Sequence, residues 1–139
     1  TFRPKYRRNI KDKKNEMFYW EEKESFGDIV LWTGDFVLLA TREVVHIPTD
    51  AFGLTRLKST SGRSGLEQMD AGILDPNFSG NVTLEFFNAA PWPLEISSHG
   101  YYVQMAMFDL SEETEKPYRG RYQNQHTGPT AAREEVVYG

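Results

Sequence analysis

The sequence predicts an all-β fold, a sandwich or barrel of short strands. Three observations carry this. Short apolar or alternating runs recur with turn signals between them. No stretch sustains a helical period. Aromatic residues reach 14% in a chain only 39% hydrophobic, so bulky rings supply the area a core needs.

After an aromatic-rich segment, Met17–Trp20, the expected elements follow in order. Ile29–Trp32 is β-like and runs into the turn Thr33-Gly34-Asp35. Phe36–Thr41 is apolar and suits a buried strand. Val44–Ile47 is stopped by Pro48, which cannot donate to a ladder. Phe52–Lys58 alternates in part, and Ile73–Leu74 ends at the turn Asp75-Pro76-Asn77. Val82–Asn88 alternates cleanly, with Val82, Leu84 and Phe86 on one face and Thr83, Glu85 and Phe87 on the other. Pro91-Trp92-Pro93 is a turn, and Leu94–Ile96 and Tyr101–Leu110 close the strand series.

Charge is uneven. The net formal charge is −4, yet seven of the 16 Lys and Arg residues fall within the first fifteen positions, which leaves an acidic body. The basic stretch lacks apolar anchors and reads as a solvated arm. The acidic body argues against a nucleic-acid groove, because phosphate backbones need clustered cations. No apolar run approaches the ~20 residues of a membrane span, and no secretory signal opens the sequence. Cysteine is absent, which excludes disulfides, thiolate zinc sites and a cysteine nucleophile. His46, His99 and His126 have no ligand spacing. From Glu112 to Gly139 the chain is poor in aliphatics. Composition there reads as a disordered terminus; the functional alternative is an arm that orders over a ligand, with Arg119, Arg121 and Arg133 on phosphates.

Three features could carry chemistry. Lys58-Ser59-Thr60-Ser61-Gly62-Arg63-Ser64-Gly65 is a loop dense in hydroxyls, glycines and cations, suited to an anion or to a plain polar turn. It lacks the P-loop pattern. Glu85 sits mid-strand, where a carboxylate is usually solvated; tucked beside aromatic surface it would become a proton shuttle. Asp75 is either a turn residue or a group holding a sugar hydroxyl, a water or a metal ion.

Taken together these segments resemble the dCTP deaminase family of the trimeric dUTPase-like superfamily, over about Gly34 to Arg133. Gly34–Thr41 is similar to the strand before that family's first motif, and Val44–Phe52 to its next segment. Lys58–Leu66 matches its Arg/Lys-Ser-Ser/Thr-x-x-Arg-x-Gly-Leu loop. Ala71–Gly80 matches Ala-Gly-x-Ile-Asp-Pro-Gly-Phe-x-Gly, and Thr83–Asn88 matches Thr-Leu-Glu-Leu-x-Asn. Gln104 stands where the family has Gln after a Gly-led strand. Lys116-Pro117-Tyr118 and Arg121–Gln125 resemble its C-terminal nucleotide-closing arm.

The resemblance implies a dUTPase-like distorted jelly-roll or β-barrel, assembled as a homotrimer with sites between neighbouring chains. It implies an N-terminal arm over 1–16, a β domain over 17–111 and a closing arm over 112–139. It implies zinc-free hydrolytic deamination of dCTP to dUTP and ammonia in the cytoplasm, or in host cytoplasm if the protein is viral. The catalytic set would be Glu85, Arg63 and Ser59, with Glu85 moving protons while Ser59 and Arg63 orient water and stabilise charge. Lys58, Thr60, Asp75, Thr83, Tyr118, Arg121 and Gln125 would bind the nucleotide. Mg²⁺ would be bound through the triphosphate, with no direct protein ligand. Partners would be the deoxycytidine or deoxyuridine nucleotide and two further copies, without membrane or nucleic acid.

Departures from the family pattern are local. The region before the first matching strand is short, and the Leu66–Asp75 interval lacks about one residue. Asp70 stands where Thr is common, which would set an acid beside the base pocket. Asn77 replaces the usual Gly, and Arg121 replaces Lys. Two alternatives remain beside deamination to dUTP. One is a dUTPase or bifunctional enzyme in which Asp75 positions water against the α-phosphate. The other is a non-catalytic nucleotide-binding regulator.

Overall fold

The computed structural model describes residues 28–126 and 128–130, with the backbone of two short paired strands, β1 (Phe2–Arg3) and β2 (Glu21–Glu22). The basic arm over 1–16 otherwise lies outside the described residues, as do Met17–Trp20 and Arg133.

The remaining strands are β3 (Ile29–Leu31), β4 (Phe36–His46), β5 (Ala51–Leu57), β6 (Leu66–Gln68), β7 (Ile73–Leu74), β8 (Ser79–Asn88), β9 (Leu94–Ile96) and β10 (Val103–Asp109). They pair antiparallel into sheets ordered β4-β8-β6, β10-β5-β7 and β3-β9. One core joins them, with Leu31, Val37, Ile47, Leu66, Leu74, Val82, Leu84, Phe86 and Ile96 all buried. Phe86 is 0% exposed and anchors the centre of β8.

The alternation expected in β8 holds: Val82, Leu84 and Phe86 are buried, while Thr83, Glu85 and Phe87 are half-buried on the opposite face. Asn88 ends the strand. Its amide donates to the Leu31 and Trp92 carbonyls at 2.8 and 2.9 Å, and its Oδ1 accepts from Ala90 N at 2.8 Å. One buried side chain thereby ties three segments together.

Four expectations need correction. The expected strands Phe36–Thr41 and Val44–Ile47 merge into one, β4, which ends at His46 and carries a register shift between Ala40 and Val44. Side chains satisfy the backbone there: Asn81 Nδ2 donates to the Thr41 and Glu43 carbonyls, and Thr41 Oγ1 accepts from Val82 N. The Lys58–Gly65 loop contains a short helix, α1 (Ser59–Arg63), whose single turn is too brief for a periodic signal. Leu66–Gln68 is a strand too short to signal itself.

The fourth correction concerns the tail, which composition read as disordered. Its described part is tied to the body by backbone bonds: Leu110 N to Asp50 O, Thr114 N to Thr49 O, Tyr118 N to Pro76 O and Asn124 N to Ser79 O. Order there comes from backbone pairing with the Thr49–Asp50 turn, the turn before β8 and β8 itself, together with Tyr118 and Tyr122 packed against the core. Gly80 and Gln125 form a parallel bridge.

Candidate active site

The site face of the β4–β8 pair is fixed by register. Phe36 pairs with Phe87, Leu38 with Glu85 and Ala40 with Thr83, so these residues share one face while Val37, Leu39, Leu84 and Phe86 share the core face. Phe36, Leu38, Thr83 and Glu85 line a cavity of about 780 Å³, within the range of ligand pockets. Asp75 and Ala71 line it from the segments before β8. Tyr118, Arg121, Tyr122 and Gln125 line it from the tail.

The turn Asp75-Pro76-Asn77 places Asp75 at this rim. Phe78 N donates to Asp75 O at 3.0 Å, and Asn77 takes φ 72°, a left-handed conformation that Asn tolerates. Phe78 then packs against Tyr118, ring centroids 6.0 Å apart, which seats the start of the arm.

Glu85 is the electrostatically distinctive group. Burial pushes its carboxyl above the ordinary value, and a backbone hydrogen bond at the residue opposes this more weakly. Its Oε2 is buried and has no hydrogen-bond partner among the described residues; the same holds for Gln125 Oε1 in the same cavity. Buried acceptors of this kind want N–H or O–H donors.

Six of the expected residues therefore meet in one cavity: Glu85, Asp75, Thr83, Tyr118, Arg121 and Gln125. The other four, Lys58, Ser59, Thr60 and Arg63, do not line it. They sit in and before α1, all exposed. The helix is held away from the cavity by contacts with the turn after β8. Ala89 N donates to Gly65 O at 3.0 Å, and Trp92 Nε1 to Ser64 O at 3.3 Å. Gly65 has φ 94°, and a Cβ there would strike Ala90, so the residue must stay bare. Lys58 Nζ lies 5.9 Å from the Tyr101 ring.

Asp70 does not enter the cavity as its position beside Ala71 implied. It is exposed and pairs with Arg56 at 2.6 Å on the surface. Gln104 is exposed on β10 opposite Arg56. Arg119 is exposed and does not line the cavity, unlike Arg121. Sequence reasoning missed Leu38 and Phe36 as cavity walls, because an apolar strand carries no mark of which face meets a ligand. It also missed Thr130, whose N–H donates to Thr83 Oγ1 at 3.2 Å.

No helix among the described residues is long and apolar enough to cross a membrane. Also among them, no group of three or more His, Cys, Asp and Glu comes together.

This mostly-β architecture is the jelly-roll fold of the dUTPase-like proteins. Solved structures support that fold. A deoxycytidine triphosphate deaminase from Agrobacterium tumefaciens superposes with TM-score 0.68 at 18% identity, over 81% of this chain and 36% of that one. The EIAV dUTPase superposes with TM-score 0.55 at 20% identity, over 70% and 88%. The chain belongs to the dCTP deaminase-like family, whose model matches residues 1–110. A relative from Streptomyces avermitilis, named "dCTP deaminase, dUMP-forming", is 42% identical over 118 residues, covering 81% of this chain and 61% of the relative. One of the same name from Persephonella marina is 35% identical over 127 residues, covering 89% and 70%. The chain spans about 61%, 59% and 54% of the length of the first three such relatives.

Proposed function

We propose that this chain is a deaminase of dCTP that carries its substrate on to dUMP. The observation that carries the reading is Glu85: a half-buried carboxyl, raised in pKa by desolvation, with an unpartnered oxygen in the nucleotide-sized cavity. A general base works best when its pKa approaches the working pH, which this environment favours.

In the proposed reaction Glu85 takes a proton from water, and the hydroxide adds to C4 of cytosine. Glu85 passes that proton to ring N3, then takes the proton of the new C4 hydroxyl and delivers it to the amino nitrogen; the C4–N bond breaks, C4 becomes a carbonyl, and ammonia leaves. The orphan oxygens of Glu85 and Gln125 suit the N–H and O–H donors of amine and water. A second water then attacks the α-phosphorus and breaks its bond to the leaving pyrophosphate; Asp75, exposed at the rim, is the carboxylate placed to orient that water. The names of the relatives favour dUMP over the dUTP product implied by the sequence motifs.

Arg121, lying 5.8 Å from the Tyr122 ring, supplies a cation for the phosphates, and Tyr118 completes the arm over them. The donor set does not assemble a protein-held metal cage among the described residues. Mg²⁺ would arrive on the triphosphate, where it neutralises phosphate charge.

Ser59, Arg63, Thr60 and Lys58 enter this site from a neighbouring copy in a homotrimer. Two features support the assembly. The four residues are exposed and line no part of the cavity in their own chain. The edge strand β10 leaves Met105, Met107 and Phe108 43–44% exposed, apolar area that a second copy would cover.

The test is incubation with dCTP or dUTP and Mg²⁺, measuring ammonia and pyrophosphate. Equal amounts of both from dCTP are expected. Ammonia alone makes dUTP the product. Neither product from either nucleotide, with binding retained, leaves a regulator.

A further inference from the structure

We propose that Asn77 and Gln123 are positioning residues that latch the 118–125 arm over the cavity before any nucleotide binds. The inference rests on reading that cavity as a nucleotide site, and it concerns residues that do not line it.

The latch is built from side-chain amides. Asn77 Nδ2 donates to Tyr118 O at 3.0 Å, while Tyr118 N donates to Pro76 O at 2.8 Å. Both backbone groups of Tyr118 are thus held by one turn. Gln123 works from the other side. Its Oε1 accepts from Ser79 N at 2.9 Å and its Nε2 donates to Asn77 O at 2.7 Å. These bonds fix the amide orientations, since a carbonyl can only accept and an N–H can only donate. Tyr118 at the first hold, and Arg121 and Tyr122 between the two, line the cavity, as does Gln125 just beyond.

A second observation marks the same junction. Among the described residues the non-glycine positions with positive φ are Asn77 at 72° and Asn124 at 58°. Both lie where the arm crosses the start of β8, and Asn124 N donates to Ser79 O at 2.8 Å. The family pattern described above has Gly at position 77. Glycine would accept the left-handed backbone but could not donate to Tyr118 O. Asn77 thus supplies a donor that glycine lacks, and it makes the closed arm a preformed feature. A site that is closed in advance loses less affinity to the fraction of unready molecules.

This gives a clean experiment, because Asn77→Gly removes the amide without straining the backbone. Arg119 and Arg121 are exposed on the arm and offer trypsin two cleavage points. Without nucleotide, Asn77→Gly and Gln123→Ala should be cut there several times faster than the parent protein, while melting as cooperatively. Affinity for dCTP, measured in a Glu85→Gln background so that the ligand survives, should fall roughly three- to tenfold, the range a lost hydrogen bond gives. In the otherwise unaltered enzyme KM should rise by a similar factor, with kcat changed less than twofold. Unchanged cleavage in both variants overturns the latch. Faster cleavage with unchanged dCTP affinity makes the two residues merely structural and overturns their positioning role. If the parent protein binds no dCTP, the functional reading fails, yet the cleavage rates still decide whether the latch exists.

Discussion

Leu38 stands directly across from Glu85 in the β4–β8 ladder, and both side chains line the same cavity. Directly opposed residues hold their Cβ atoms about 5 Å apart. The buried leucine therefore occupies space from which water would otherwise solvate the carboxylate, and Phe36 flanks it on the same face. Desolvation is the larger influence on the Glu85 carboxyl.

That relationship predicts a pH-dependent stability. A carboxyl whose pKa is higher folded than unfolded adds stability fully below the unfolded value, about 4.3 for Glu. The contribution is lost as pH rises through the folded value. Glu85→Gln mimics the protonated form, so it should raise Tm at neutral pH and above, with the gain vanishing in acid below the unfolded value. Melting curves of both proteins across pH, without nucleotide, check this; a gain independent of pH would remove desolvation as its cause.

Arg63→Ala should lose turnover while keeping its melting temperature within a degree or two. Exposed substitutions usually change stability by less than about 0.5 kcal/mol. Mixing it with Glu85→Gln during refolding probes the assembly. If each site joins Glu85 of one copy to Arg63 of another, mixed oligomers regain activity that neither variant shows alone. Persistent inactivity in demonstrably mixed oligomers would place both residues' contributions within one chain.

Deleting the chain from Arg119 onward should leave the β core folded but weaken triphosphate binding. The deletion removes Arg121 and the Gln125 bonds to Asn81 while sparing the core residues of β3–β9. Calorimetric titration with dCTP and dCMP is the measurement, and a larger loss for the triphosphate is the expected result. Equal losses for both would take the arm away from the phosphates.

Asn88→Ala should be severely destabilising, by about 3 kcal/mol or more, because it strands several buried polar groups at once. Asn88 is 0% exposed, and its side chain serves Leu31, Trp92 and Ala90. Chemical denaturation reads the change. Asn88→Asp should be no better, since it sets a carboxylate against two carbonyls.

The strands were legible where the signal is local. The two faces of Val82–Asn88 follow from alternation alone, which sets Glu85 opposite Val82, Leu84 and Phe86. The motif residues around Asp75 and in Arg121–Gln125 also marked segments that converge on one cavity. The bulge in β4 was not legible, because Asn81 repairs it from the neighbouring strand β8. Nor was the surface fate of Asp70, which depends on Arg56, a residue on a different strand.

The sequence by itself determined the β character, the core face of β8 and the set of groups available for chemistry. A period of two is written residue by residue and needs no knowledge of neighbours. Tertiary structure decided which of those groups meet. It brought Gln125 onto Asn81, 44 residues away, and held α1 apart from the cavity by seating Gly65 against Ala90. Such placements rest largely on backbone hydrogen bonds and close packing between distant segments, and neither leaves a pattern along the chain.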